Sequence, residues 1–177
     1  MALALFVEQG FEATTMDDVA RGVGIARRTL FTYYPGKSAI VWEGRKEADD
    51  AIRDALAAAP EQLTWREALV QTLPRTLRYP GDDTALLRQR LRVIGGTPSL
   101  RAHLLVEQEA AADVVAAFVA RRRGTGADDV ATQAVARAVL AAVSTSLVRW
   151  AGSEDPDPRE VMTRSLATLL GLERGER

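Results

Sequence analysis

Residues Thr14–Lys37 read TTMDDVARGVGIARRTLFTYYPGK, two short helices joined by a tight glycine turn. Val19 and Val23 lie four apart on the first helix and Leu30 and Tyr33 three apart on the second, so each carries an apolar stripe able to face the other. Ala20 is small where the helices cross. Gly24 falls at the reversal, where a positive φ is often needed and glycine adopts it without a Cβ clash. Thr15 is placed to cap the first helix, with Asp17 and Asp18 in its first turn, where the helix dipole favours negative charge. Tyr34-Pro35-Gly36 stops the second helix, because proline disfavours helical geometry in the residue before it. Two helices so related can present the second to the major groove of DNA.

The charge on this stretch points the same way. Val19 to Val41 holds the cations Arg21, Arg27, Arg28 and Lys37 and no acid, although the whole chain has a net charge of −1. A phosphate backbone selects such a local patch, and with the chain near neutrality any nucleic-acid binding has to come from it.

An ordered set of residues then carries a resemblance. LALFVEQGF at Leu3 to Phe11 is followed by Thr14, Thr15, Val19, Ala20, Gly24, Ile25, Thr29, Leu30, Phe31, Tyr33, Tyr34 and Lys37. In this order the first fifty residues resemble the DNA-binding domain of the TetR/AcrR family of one-component regulators; the rest of the chain matches only in its helical layout and length. Two features depart from the family pattern. The sequence starts at Met1 inside what should be the first helix, so that helix is expected to be truncated. Ala26 stands where the family often has a capping serine or threonine, a loss of about 1 kcal/mol.

Composition bounds the remainder. With 177 residues and 47% hydrophobic content, the chain can bury a core and fits one or two packed domains. Cysteine is absent, which removes disulfides, thiolate metal sites and cysteine nucleophiles. No apolar run is expected to span a bilayer, and residues 1–9 lack the basic start and cleavage site of a signal peptide, so a cytoplasmic location and no membrane partner are expected.

Beyond Lys37 the chain reads as helices with clear punctuation, without strand alternation or repeats, and the fold class is all-α. A linking helix is expected from Lys37 to about Ala58. Thr64 with Glu67 is a capping box opening a helix through Leu77, which Pro74 should kink. Asp83 is placed to cap the next helix, ending at Gly95-Gly96. Thr97-Pro98 starts a long helix to Arg123, Gly124-Thr125-Gly126 breaks it, Asp128 begins another to Trp150, and Asp157-Pro158 caps the last, which fades near Gly171. The expected division is residues 1–45 for the helix-turn-helix and 46–177 for a C-terminal helical bundle that binds a ligand and dimerises.

On the second helix, Arg27 and Arg28 suit guanine edges or phosphates, against the plainer reading of solvated surface. Thr29 and Thr32 offer hydroxyls and methyls to base edges. Tyr33 sits on the apolar stripe yet carries a hydroxyl able to reach a phosphate, while Leu30 and Phe31 read as core. Thr14 and Thr15 can donate to phosphate at the start of the supporting helix. Lys37 matches the family's phosphate-contacting lysine, a role implied by the resemblance.

From Val130 to Trp150 apolar residues spread around most of the helix, which then needs cover on more than one side. The final helix adds Val161, Met162, Leu166, Leu169 and Leu170. Either both helices are core, or they form a two-fold interface with a second copy over about 128–150 and 158–172. The resemblance favours the homodimer, which would set two recognition helices about 34 to 36 Å apart on a near-palindromic double-stranded operator.

The resemblance also implies a pocket in the C-terminal helices for a small-molecule effector that shifts the linking helix. Candidate lining residues are Trp65, Leu69, Leu73, Leu87, Arg90, Leu91, Ile94, His103, Leu104, Glu107 and Phe118, a mostly apolar set with a few charges suited to an amphipathic or acidic molecule. Leucines at this spacing also serve as plain core. The run IARRTLFTYYPGKSAIVW resembles the mycofactocin-associated branch of the family, for which an acyl-thioester effector is implied. An enzyme is not expected, since one histidine, no cysteine and scattered carboxylates provide neither a nucleophile–base pair nor a ligand cluster, and no cofactor or metal is called for. The expectation is a DNA-binding repressor released by an effector; the alternative is a helical small-molecule-binding protein without DNA binding.

Overall fold

The computed structural model describes residues 1–77 and 84–172. Among these the chain forms helices α1 (Ala2–Gln9), α2 (Met16–Val23), α3 (Arg27–Tyr33), α4 (Lys37–Val41), α5 (Arg45–Ala57), α6 (Trp65–Thr76), α7 (Ala85–Gly96), α8 (Pro98–Glu107), α9 (Glu109–Arg123), α10 (Val130–Ala151) and α11 (Pro158–Leu170), with no strand. Of the described residues, 1–45 and 84–105 form one compact unit and 46–77 and 106–172 another. The first unit thus takes in α7 and most of α8 besides the helix-turn-helix.

The first unit is built on the apolar stripes of its short helices. Leu3 and Phe6 of α1, Val19 and Ala20 of α2, Leu30 of α3, Ile40 and Val41 of α4, and Val93 and Ile94 of α7 share one core with Phe11 and Leu100. Each large side chain buried there is worth about 1.5–3 kcal/mol relative to exposure. Gly24 ends α2 at φ +74, its N–H bonded to the carbonyls of Ala20 and Arg21, a left-handed cap that costs glycine no Cβ clash.

The facing stripe on α3 differs from the spacing argument. Leu30 is buried, but Tyr33 is 73% exposed and Phe31 40%. Tyr34, one turn beyond Leu30, packs partly buried against the core instead. In a helix of seven residues the i, i+4 pair sets the buried edge, and Phe31 lies outward under the Arg27 guanidinium, 5.3 Å from the ring centroid.

The expected linking helix is two helices. The chain leaves α4 at Trp42, passes through Gly44 at φ +79 and re-enters helix at Arg45. A lone glycine inside a helical pattern was the available signal. The expected long helix after Pro98 is also divided, at Gln108, whose φ of −94° and ψ of −7° depart from regular helical values. Gln108 is buried, and its Nε2 donates to the Leu140 carbonyl at 3.5 Å, a tertiary contact with no local sequence signature.

In the second unit α6 opens with the expected reciprocal cap: Thr64 accepts from the Glu67 N–H, and the Glu67 carboxylate accepts from the Thr64 N–H and hydroxyl. Pro74 falls in the last turn, and α6 ends at Thr76. Asp129, not Asp128, caps α10, accepting from the Thr132 N–H at 2.9 Å. Asp157 caps α11 ahead of Pro158, and Gly171 ends it. Trp150 is buried, its indole N–H donating to the Asp155 carbonyl. α10 corrects the bilayer reading: by length and composition it is long and apolar enough to cross one, with a third of that window buried in the fold. The expected cap Asp83 lies outside the described residues.

Candidate nucleic-acid interface

α3 projects a polar face because only one of its edges is needed for packing. Leu30 turns inward, while Arg27, Arg28, Thr29, Thr32 and Tyr33 are all exposed. Ala26 precedes the helix with extended dihedrals and no side-chain cap bond, as its methyl requires. The supporting helix α2 is fixed at its start by a capping box: Thr15 accepts from the Asp18 N–H, and the Asp18 carboxylate accepts from the Thr15 N–H and hydroxyl. The Thr15 hydroxyl, then its N–H, hold the Asp18 carboxyl below its ordinary value.

The exposed side chains of α3 are not equivalent. Arg27 Nε pairs with Asp17 Oδ1 at 3.0 Å, which ties the recognition helix to the first turn of α2. Arg28 has no such pair among the described residues, and its carbonyl accepts from the Thr32 hydroxyl at 3.0 Å. Thr32 therefore presents its methyl outward more readily than its proton. Tyr33 is 73% exposed, which leaves its hydroxyl open to a partner rather than serving the core stripe.

Three of the expected contact residues already hold partners within the fold. Thr14 is 1% exposed and its hydroxyl donates to the Gly10 carbonyl at 2.8 Å, which closes the α1–α2 turn. The Thr15 hydroxyl is spent on Asp18 and can donate to phosphate only by breaking the cap. Lys37 is drawn inward: its Nζ donates to the Phe11 carbonyl at 2.5 Å and to that of Glu12 at 3.2 Å, 4.7 Å from the Phe11 ring centroid. That ammonium braces the turn after α1 instead of extending the cationic face of α3.

Behind α3, Tyr34 donates its phenolic proton to Glu43 Oε1 at 2.6 Å, and Arg90 of α7 stands 4.0 Å from the other carboxylate oxygen. The bond to Glu43, with burial, raises the Tyr34 phenol, while burial lowers Arg90. No local pattern marks this trio, whose members stand nine and forty-seven positions apart.

The expected effector-pocket residues divide between the two units. In the first, Ile94 is core, Leu91 is buried, Leu87 and Leu104 are half-buried, and Arg90 borders a cavity of about 220 Å³ with Tyr34 and Glu43. His103 is exposed, its ring 6.2 Å from that of Trp42. In the second, Leu69 and Leu73 are fully buried, while Trp65, under the Arg66 guanidinium, and Glu107 are half-buried. Phe118 lines a groove of about 470 Å³ between α5 and α9. Ile94, Leu69 and Leu73 are thus buried. Among the described residues no cluster of three or more histidine, aspartate or glutamate side chains could hold a metal ion.

Known proteins share this layout. Residues 1–43 match the model for bacterial regulatory proteins of the tetR family, and residues 63–172 that for the MftR C-terminal domain. The chain is 33% identical over 175 residues to a Mycobacterium tuberculosis protein assigned as the mycofactocin biosynthesis transcriptional regulator MftR, covering 98% of this chain and 88% of that one. Among solved structures, Thermus thermophilus FadR, a TetR-family transcriptional repressor in complex with lauroyl-CoA, is similar at a TM-score of 0.59 and 25% identity over 99% of this chain and 93% of that one. The fatty acid degradation regulator FadR of Bacillus halodurans shares the fold at a TM-score of 0.68, with 15% identity over 98% and 96% of the two chains.

Proposed function

The chain belongs to the TetR family of bacterial transcriptional regulators, and from that premise we propose that it is a homodimeric repressor whose operator contacts come from Arg27, Arg28, Thr29, Thr32 and Tyr33. The single observation that carries this reading is the face of α3. Its one buried side chain is Leu30, so two guanidinium groups, two threonines and a tyrosine lie side by side on the solvent edge of a braced helix. Arginine is suited to guanine edges and phosphates, threonine methyls to thymine, and an exposed phenol to a phosphate oxygen. Residues 1–45 serve DNA and 46–177 the effector and the partner subunit.

Dimerisation through α10 and α11 is supported by what their outer surfaces carry. Ala134, Ala138 and Ala141 are exposed along α10, and Leu169 of α11 is 45% exposed. Small side chains at this spacing allow close helix approach, and a two-fold axis would bury them against their own copies.

The effector class we favour is a fatty acyl thioester. Its support is the MftR-type C-terminal match, the lauroyl-CoA carried by the Thermus thermophilus relative, and an apolar groove rimmed by arginine in the second unit. An effector that binds one conformation better shifts the equilibrium by that difference in affinity, which is sufficient for release. Selection of bound fragments from the source genome tests the reading. Recovery of a near-palindromic sequence, with lauroyl-CoA lowering its retention, is expected. Recovery of no enriched sequence would overturn the regulator reading in favour of a helical binding protein without DNA binding.

A further inference from the structure

Arg27 opens α3 held from two sides. Its Nε stands 3.0 Å from Asp17 Oδ1 in the first turn of α2, and its guanidinium carbon stands 5.3 Å from the centroid of the Phe31 ring, one turn along its own helix. Neither contact is a product of core packing, since the Arg27 and Asp17 side chains are 66% and 53% exposed and Phe31 is 40% exposed. A cation in the first turn of a helix opposes the macrodipole, and an ion pair this exposed adds little to stability. The needs of the fold therefore do not explain the arrangement.

Its chemistry suits base recognition. A guanidinium presents its N–H donors in a rigid plane. The carboxylate engages Nε, and among the described residues neither Nη group donates a hydrogen bond. That leaves the outer pair, Nη1 and Nη2, whose parallel donors match O6 and N7 of guanine in the major groove. Fixing a long side chain on binding ordinarily costs affinity, and one already held has less freedom to lose. The acid also weighs against the competing use, because a guanidinium drawn away to a phosphate would leave Asp17 unpaired beside a polyanion.

We propose that Asp17 and Phe31 are positioning residues that set Arg27 before DNA arrives, the carboxylate fixing Nε and the ring supporting the guanidinium, so that Arg27 reads O6 and N7 of one guanine in a half-site. This rests on the regulator reading and deepens it, naming the base and the two residues that fix the contact. It also accounts for the outward turn of Phe31, an apolar ring placed beneath Arg27 instead of in the core. A guanidinium over such a ring is attracted to its face.

Two measurements on the full chain test it. In the free protein, nitrogen relaxation of the arginine Nε–H groups should show Arg27 more restricted than Arg28, and Asp17→Asn or Phe31→Leu should bring Arg27 to the level of Arg28. In the selected operator, each guanine is then replaced in turn by 7-deazaguanine, which lacks the N7 acceptor yet keeps its pairing with cytosine. One position should lower affinity by about fivefold or more. That penalty should vanish in Arg27→Ala and fall below about twofold in Asp17→Asn and Phe31→Leu, whereas Phe31→Tyr, which keeps the ring, retains it. A role confined to stability would lower the melting temperature and leave the penalty unchanged. Arg27 as mobile as Arg28 in the free chain, no sensitive guanine in the operator, or a full penalty in Arg27→Ala, Asp17→Asn or Phe31→Leu would each overturn the proposal. The relaxation measurement involves no DNA, so a chain that enriches no operator defeats the regulator reading separately.

Discussion

Arg27 and Asp17 are joined across the helix-turn-helix, with Nε 3.0 Å from Oδ1 and both side chains more than half exposed. In this exposed setting the pair contributes little to stability, within about 1 kcal/mol. Its larger consequence is for binding, because Arg27 must leave or share Asp17 to meet a phosphate. Asp17→Asn removes that competitor and a negative charge from the face. It is expected to raise affinity for any duplex a few-fold at low salt, with little change in melting temperature, as read by fluorescence anisotropy and thermal denaturation.

Lys37 braces the turn after α1. Its ammonium satisfies the Phe11 and Glu12 carbonyls, and hydrogen bonds to a charged group are worth about 1.5–3 kcal/mol. Lys37→Met should lower unfolding free energy by an amount in that range. The slope of log affinity against log salt should stay as in the parent chain, whereas removal of a phosphate-binding cation would flatten it by about one unit.

Gly44 occupies φ +79 with nothing within 4 Å of where a Cβ would stand. Gly44→Ala therefore meets no steric neighbour and costs only the left-handed backbone penalty, roughly 1–2 kcal/mol. Denaturant titration should show that loss. A gain in stability would mean that α4 and α5 can join as one helix.

The α6 cap carries a pH signature. Hydrogen bonds from the Thr64 hydroxyl and then its N–H lower the Glu67 carboxyl from its ordinary 4.5. A carboxyl depressed in the folded state contributes its stability above the unfolded value, and loses it as pH falls through the folded one. The Thr64→Ala chain should be less stable by about 1 kcal/mol at neutral pH, and the difference should shrink as pH falls below 4.5. Paired melts from neutral to acid pH check this.

Much of the architecture was legible because its markers are local. Gly24 at the turn, Thr64 with Glu67, Asp157 before Pro158 and Gly171 each act within a few residues of the helix end they define, and each stands where its chemistry places it. What was not legible depends on distant partners. Gln108, where the expected long helix divides, bonds to the Leu140 carbonyl, and Lys37 turns toward Phe11. On α3 a choice between Tyr33 and Tyr34 for the buried edge cannot be made from spacing alone, since both i+3 and i+4 neighbour Leu30. The Tyr34–Glu43–Arg90 trio lay beyond any local pattern.

Whether the exposed edge of α3 reads duplex DNA is decided best at Arg28, the guanidinium of that edge without an acidic partner among the described residues. The parent chain and Arg28→Ala are each titrated with the selected operator and with an unrelated duplex, at one fixed salt concentration. Arg28→Ala should lose about 1–3 kcal/mol on the operator and much less on the unrelated duplex. Equal affinity of the two proteins for the operator would mean that this face of α3 does not read it.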